Sequence, residues 1–183
     1  MPKNNLVFII AVLVILVSCK KNPTSSNQND YLIPLEVGNS WSWRVEPYDR
    51  DQDDDEIYFD LQITDTMSLQ GDIWYGNGIH YFRNDNIGFW QTHTAYDTIW
   101  LVFKYPASSG EIWSNGESTL INTKASINGF DNCYLYQESY SGYGGREEVD
   151  KYFIKPGIGW VFIILDELGD SNKTYTLTDY ELN

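Results

Sequence analysis

Ile57-Tyr58-Phe59-Asp60-Leu61-Gln62-Ile63-Thr64 is the stretch of sequence that decides the fold. Its odd-numbered side chains are all apolar, and its even-numbered side chains are polar or carry a hydroxyl group. This two-residue period is typical of a β-strand that turns one face toward a core. The stretch therefore predicts a half-buried strand, with the odd-numbered face in the core and the even-numbered face in solvent.

The same period recurs along the chain after residue 30. Aromatic and β-branched residues alternate in short segments that are bounded by Gly, Asn, Asp and Pro, and no segment has a helical period over three turns. Strands are predicted around Trp41 and Trp43 and at residues 57–64, 73–83 (one bulged strand or two short ones), 89–92, 99–105, 119–127, 132–141, 149–155, 160–165 and 174–182. We therefore predict an all-β domain of roughly ten strands, an antiparallel meander that forms a half-barrel or a sandwich.

The N-terminus has the pattern of a lipoprotein signal peptide. Lys3 precedes a run of apolar residues, 6–17, which is shorter than the ~20 residues that a membrane-spanning helix needs. The run ends in Leu16-Val17-Ser18-Cys19, the pattern of a bacterial lipobox. We predict that residues 1–18 are a signal peptide, that residues 19–30 are a lipidated cysteine and a flexible tether, and that residues 31–183 form a single β-rich domain. A membrane-anchor helix and a buried core helix are the alternatives.

The charge of the chain restricts its partners. The 26 acidic residues outnumber the 12 basic ones and give a net charge of -14, which disfavours binding to nucleic acid or to bare anionic lipid. The membrane is therefore an expected partner only through the acyl chains on Cys19. Once Cys19 is acylated, Cys133 has no partner for an internal disulfide, and its strand context predicts a buried core thiol.

An acidic segment precedes the deciding strand and suggests one metal. Asp49, Asp51, Asp53, Asp55 and Asp60 fall at positions 1, 3, 5, 7 and 12 of a loop with the spacing of calcium ligands in an EF-hand. The sixth position lacks the usual glycine, and no helices flank the loop. The sequence thus leaves two interpretations, a calcium site or an exposed acidic loop that keeps the surface soluble.

No catalytic residue emerges from the sequence. His80 and His93 are the only imidazoles, the G-x-S-x-G nucleophile motif is absent, and a zinc site would need carboxylates to complete it. We expect His80 on the polar face of its strand. The chain also has 7 Trp and 14 Tyr, which we expect to fill the core. Stacking platforms for sugars and an apolar lipid pocket are the alternatives.

Four blocks of sequence resemble a known group. Residues 31–43 are similar to the opening "PLxxGNxWxW" of a broad group of uncharacterised outer-membrane lipoproteins from Bacteroidota and related Gram-negative bacteria. Residues 110–113, 128–134 and 152–161, which include the late motif PGIGWV, resemble later blocks of that group in the same order. The resemblance implies a β-rich fold and an envelope location, and it implies no activity.

Together these features predict a non-enzymatic envelope lipoprotein, a binding or structural module tethered through Cys19. Lys20 follows the cysteine where an aspartate would favour the inner membrane, so we expect an outer-membrane location facing the periplasm. Its further partner would be an envelope protein or glycan. Two alternatives stay open, a carrier of lipid or another apolar ligand in a β-cavity, and an envelope polysaccharide hydrolase with two carboxylates about 5 to 10 Å apart.

Overall fold

The computed structural model describes residues 31–46, 56–113, 118–141, 145, 147–166 and 173–183. Within these ranges the chain forms thirteen β-strands and no helix. In chain order the strands are β1 (Ser40–Glu46), β2 (Ile57–Gln62), β3 (Asp65–Leu69), β4 (Asp72–Gly76), β5 (His80–Asn84), β6 (Gly88–His93), β7 (Tyr96–Lys104), β8 (Ile112–Trp113), β9 (Ser118–Ile127), β10 (Phe130–Ser141), β11 (Glu147–Lys155), β12 (Gly159–Leu165) and β13 (Lys173–Glu181).

The strands form two antiparallel sheets, which confirms the predicted all-β class. The small sheet is a five-stranded meander in the order β3-β4-β5-β6-β7. The large sheet has eight strands in the order β2-β1-β13-β12-β11-β10-β9-β8, so its last strand in sequence lies between β1 and β12. Chain order and spatial order therefore agree from β8 to β13, and the pairing of β13 with β1 is the departure from a simple meander.

The two sheets face each other across one aromatic core. Trp160 on β12 of the large sheet lies 6.2 Å from the ring of Phe82 and 5.2 Å from the ring of Phe89, both on the small sheet. Phe103 on β7 approaches Tyr136 on β10 at 4.8 Å. Because these ring contacts cross from sheet to sheet, the architecture is a sandwich that is not closed into a barrel.

The deciding strand forms as predicted, but half of its apolar face is not in the core. β2 is an edge strand that pairs only with β1 in the large sheet. Ile57 and Phe59 are 49% and 52% exposed, whereas Ile63 just beyond the strand is fully buried. The expectation of a core position is therefore wrong for the first two residues, because the start of an edge strand has no neighbour on one side.

The kinked segment at residues 73–83 is two strands. β4 and β5 pair antiparallel around a turn in which Asn77 Oδ1 accepts the backbone N–H of His80 at 3.0 Å. The strands β3 and β8 were not predicted from the sequence. The first lacks a run of apolar residues at alternate positions, and the second is only two residues long.

Two of the blocks that carry the family resemblance contact each other. The indole Nε1 of Trp41 donates to the carbonyl oxygen of Ile158 at 2.6 Å, and the backbone N–H of Gly157 donates to the oxygen of Tyr31 at 3.1 Å. These hydrogen bonds join the opening block to the late PGIGWV block, although the two blocks are more than one hundred residues apart in sequence. Their role in this chain is structural.

Candidate functional site

A cavity of about 470 Å³ opens between the two sheets beside Trp160. This volume falls within the range of about 300–1,000 Å³ that small-molecule sites occupy. Nine of the residues that line it are apolar or aromatic and four are polar. The lining residues are Trp43, Phe59, Asp60, Leu61, Asn77, His80, Phe82, Gln91, Tyr152, Trp160, Ile163, Leu165 and Tyr175.

Aromatic side chains of the large sheet form one wall of the cavity. The ring of Phe59 on β2 lies 5.7 Å from Trp43 on β1 and 6.2 Å from Tyr175 on β13. Trp43 Nε1 donates to the backbone oxygen of Trp160 at 3.0 Å, so its one polar group already has a partner. This side of the cavity therefore offers ring faces to an occupant, and a hydrogen-bonding occupant gains nothing from the Trp43 indole.

The small sheet supplies the polar part of the lining. His80 on β5 is half-buried, and its Nδ1 lies 3.2 Å from the side-chain amide Nε2 of Gln91 on β6. Burial, and then the neighbouring His93, lower the pKa of His80. The expectation that His80 lies on the polar face is wrong. It shares the inward face with Phe82, two residues along the same strand.

A second cluster of polar side chains lies on the large sheet, beyond Tyr152. Asp150 is only 7% exposed, and it accepts the backbone N–H of Asp166 at 2.9 Å and the hydroxyl groups of Tyr140 and Tyr152 at 3.4 Å. Burial raises the pKa of Asp150 despite these hydrogen bonds. Glu148 is 5% exposed, and its Oε1 has no hydrogen-bond partner among the described residues. The cluster thus holds two buried carboxyl groups on one strand.

This cluster gives no support to the polysaccharide hydrolase alternative. The two carboxyl groups belong to residues two positions apart on β11, so they lie on the same face of that strand, as a catalytic pair would. Both residues are nevertheless less than a tenth exposed. A polymer could not reach them without displacing the side chains around them, and Tyr152, which links the cluster to the cavity, presents its ring there.

Asp150→Asn is expected to raise the melting temperature at pH 7.5 by a few degrees, since ~1 kcal/mol corresponds to about 2–4 °C at this chain length. The ionised carboxyl is penalised in the folded state, and the amide removes that charge while keeping hydrogen bonds to the neighbouring hydroxyls. Because the pKa of Asp150 is raised in the folded state, the wild type regains stability as the pH falls and this carboxyl becomes protonated. The difference in melting temperature between the two proteins should therefore vanish near pH 4.

Thermal unfolding of both proteins between pH 4 and pH 8 measures this effect. Asp179→Asn on β13 is the matched control, because the Asp179 side chain is exposed and should leave the melting temperature unchanged. An Asp150→Asn variant that is less stable than the wild type by the same amount at every pH would show that the hydrogen bonds of the carboxylate outweigh its burial.

Four of the five predicted calcium ligands, Asp49, Asp51, Asp53 and Asp55, lie outside the described residues, and calcium binding there stays a prediction. The fifth, Asp60, lies on the edge strand β2 and is exposed. Among the described residues, no group of three or more His, Cys, Asp or Glu side chains is placed to hold a metal ion.

The two cysteines differ in what the structure describes. Cys133 on β10 is fully buried, as predicted for a core thiol, and burial raises its pKa, which disfavours the reactive thiolate. Cys19, the predicted lipidation site, lies outside the described residues together with the rest of residues 1–30. Within the part of the chain that is described, no helix has the length and apolar character needed to cross a membrane.

Comparison with known proteins identified no matching family model, no matching curated protein and no matching solved structure. The cavity therefore has to be interpreted from its own chemistry. Asp60 and His80 are the lining residues that the sequence had offered as candidates, one for calcium and one as an imidazole, and the sequence did not group them with the aromatic residues of the cavity. The excess of tryptophan and tyrosine was the available sign of a cavity. The sequence alone could not show which of these residues fill the core and which line a cavity.

Proposed function

We propose that the protein is a lipid-anchored binding module of the bacterial envelope that holds an apolar ligand in the cavity between its sheets. The observation that carries this proposal is the mostly apolar cavity of about 470 Å³ beside Trp160. It favours the carrier alternative over a purely structural module, because a module without a ligand is expected to pack such a space with side chains.

The exposure of the cavity wall supports the same function. Phe59 is 52% exposed although its ring packs against two other aromatic rings of the cavity lining. Apolar surface of this kind is costly in water, and a contiguous patch of it commonly marks a binding site. An apolar occupant would cover Phe59 and extend the stack of rings that Trp43 begins.

The proposed attachment is through acyl chains on Cys19. The net charge of -14 opposes direct contact with an anionic membrane, so a covalent anchor is needed to keep the domain there. The predicted tether between Cys19 and Tyr31 would reach at most about 40 Å when extended. We propose that the domain faces the periplasm from the outer membrane, within that distance of the lipid surface.

Native mass spectrometry of the protein purified from its own membranes tests both parts of the proposal. The expected spectrum contains a mature chain that begins at an acylated Cys19 and carries a noncovalently bound apolar molecule. A mature chain without acyl groups would overturn the proposed anchor. Acylated protein with no bound molecule, together with no binding of an apolar dye in solution, would overturn the proposed ligand site.

Ile163→Trp is expected to weaken binding of the uncharged dye Nile red at least tenfold, because the larger side chain fills space that the dye would occupy. Ile163 lies on β12, opposite Tyr152 and Tyr175, and lines the cavity. Fluorescence titration gives the affinity. Ile121→Trp is the matched control, since Ile121 lies on β9 with 41% of its surface exposed and is not a lining residue. If the two variants bound Nile red with equal affinity, the dye would have to bind outside the cavity.

A further inference from the structure

The hydrogen bond between Gln91 and His80 fixes which polar atoms this pair offers to the cavity. The side-chain amide nitrogen of Gln91 is a donor only, so His80 Nδ1 is the acceptor in the 3.2 Å contact between them. A neutral His80 therefore carries its proton on Nε2. The pair presents one donor, His80 Nε2–H, and one acceptor, the amide oxygen of Gln91.

His93 helps to keep this pair uncharged. The His93 ring meets the His80 ring edge to face, with 4.8 Å between centroids, and its own Nδ1 accepts the backbone N–H of Ala95 at 2.9 Å. A second proton on His80 would remove the acceptor that its Nδ1 offers to Gln91, and it would place a positive charge against the neighbouring imidazole. The arrangement favours a neutral His80 ring.

The rest of the lining offers no charge to an occupant. Asp60 is the one charged residue among the described residues that line the cavity. It alternates with Phe59 and Leu61 along β2, and because those two side chains are on the inward face, the carboxylate of Asp60 is on the opposite face. The hydroxyl of Tyr152 is already directed to Asp150. What remains for an occupant is uncharged. It consists of the donor and the acceptor of the His80–Gln91 pair, the side-chain amide nitrogen of Asn77 and the hydroxyl of Tyr175.

We propose that the cavity selects apolar molecules with an uncharged, oxygen-bearing head group, such as a long-chain alcohol or ester. This selectivity rests on the apolar-ligand function proposed above. A hydroxyl can accept from His80 Nε2 and donate to Gln91, and an ester carbonyl can accept from His80. A carboxylate or an ammonium group would lose its hydration without meeting an opposite charge. We expect the alcohol to bind at least tenfold more tightly than either ion.

Displacement of Nile red at pH 7.5 tests this selectivity with three competitors of equal chain length, 1-dodecanol, dodecanoate and dodecylammonium. The alcohol is expected to displace the dye at a concentration at least tenfold below that of either ion. His80→Phe should reduce the affinity for the alcohol at least fivefold more than it changes the affinity for Nile red, since the alcohol loses one hydrogen bond to a buried group. Ile121→Phe is the control, because it adds the same ring at an exposed position that does not line the cavity, so both affinities should stay unchanged.

Each outcome separates the two proposals. Equal displacement by the three competitors, or stronger displacement by dodecanoate, would overturn the selectivity and leave the apolar-ligand function standing. An alcohol affinity that is unchanged in His80→Phe would also overturn it. If Nile red does not bind the unmodified protein, the apolar-ligand function fails, and the selectivity fails with it.

Discussion

Trp160→Ala is expected to lower the free energy of unfolding by about 3–5 kcal/mol, the usual cost of truncating a large aromatic side chain in a core. The Trp160 ring lies within 6.5 Å of ring centroids on both sheets. Those neighbours are Trp41, Trp43, Phe82, Phe89 and Phe103. Its removal would join the existing cavity to a new void at the centre of the sandwich, and the surrounding rings are held too firmly by their strands to fill it.

The loss is large relative to the whole stability of a domain, which is commonly about 5–15 kcal/mol. For a chain of this length it corresponds to a fall in melting temperature of roughly 6–20 °C. Urea denaturation followed by tyrosine fluorescence measures the free energy directly. Trp160→Phe gives a milder variant that keeps a ring between the sheets, should the alanine variant fail to fold.

Trp100→Ala is the matched control for the loss of an indole. Trp100 lies on β7 and is 36% exposed, so we expect its truncation to cost less than half as much. If the two alanine variants lost the same stability, Trp160 would not be the contact that holds the sheets together.

Gly159→Ala is expected to cost about 2–4 kcal/mol, the second largest effect. Gly159 has a φ of +108°, a conformation that side chains other than glycine rarely adopt, and the strain alone is of order 1–3 kcal/mol. An added Cβ would also lie 3.3 Å from Nε1 of Trp41 and 3.5 Å from Ile33. Since Trp41 Nε1 is held by its hydrogen bond to Ile158, the indole cannot retreat without breaking that bond.

Gly129→Ala separates the two causes. Gly129 also has a positive φ, +83°, but a Cβ added there meets no atom within 4 Å. The control variant therefore carries the conformational strain without the contact, and equilibrium unfolding of both variants should show the larger loss for Gly159→Ala. Equal losses would mean that Trp41 adapts to the extra methyl group and that the contact between the opening block and the PGIGWV block is loose.

The sequence predicted the strands well because their signal is local. A two-residue period of apolar side chains needs no knowledge of the partner strand, and β10 and β11 lie where strands were predicted. How far each apolar face is covered depends on which strand lies at an edge. Ile57 and Phe59 alternate as perfectly as any core strand, and their exposure follows from the absence of a neighbour beyond β2.

The cavity could not be predicted either, because it depends on how the two sheets pack against each other. Its two walls come from β2, β1, β13, β12 and β11 on one sheet and from β5 and β6 on the other, and nothing in the sequence gives the distance between the sheets. His80 illustrates the difficulty. The run Ile79-His80-Tyr81-Phe82 suggests a polar histidine beside apolar neighbours, yet His80 shares its inward face with Phe82 and meets Gln91 across the strand pair.

The position of β13 in the large sheet has a consequence for how the protein folds during synthesis. Among the described strands, β1 leaves the ribosome first and β13 (Lys173–Glu181), which lies between β1 and β12 in the sheet, leaves last. Pairings between such distant segments close large loops, and they make folding slow compared with that of local hairpins. The small sheet, whose five strands are consecutive, can assemble early, whereas the eight-stranded sheet must wait for its final strand. The eight-stranded sheet therefore stays incomplete until synthesis has passed Glu181, and its unpaired strand edges are exposed until then.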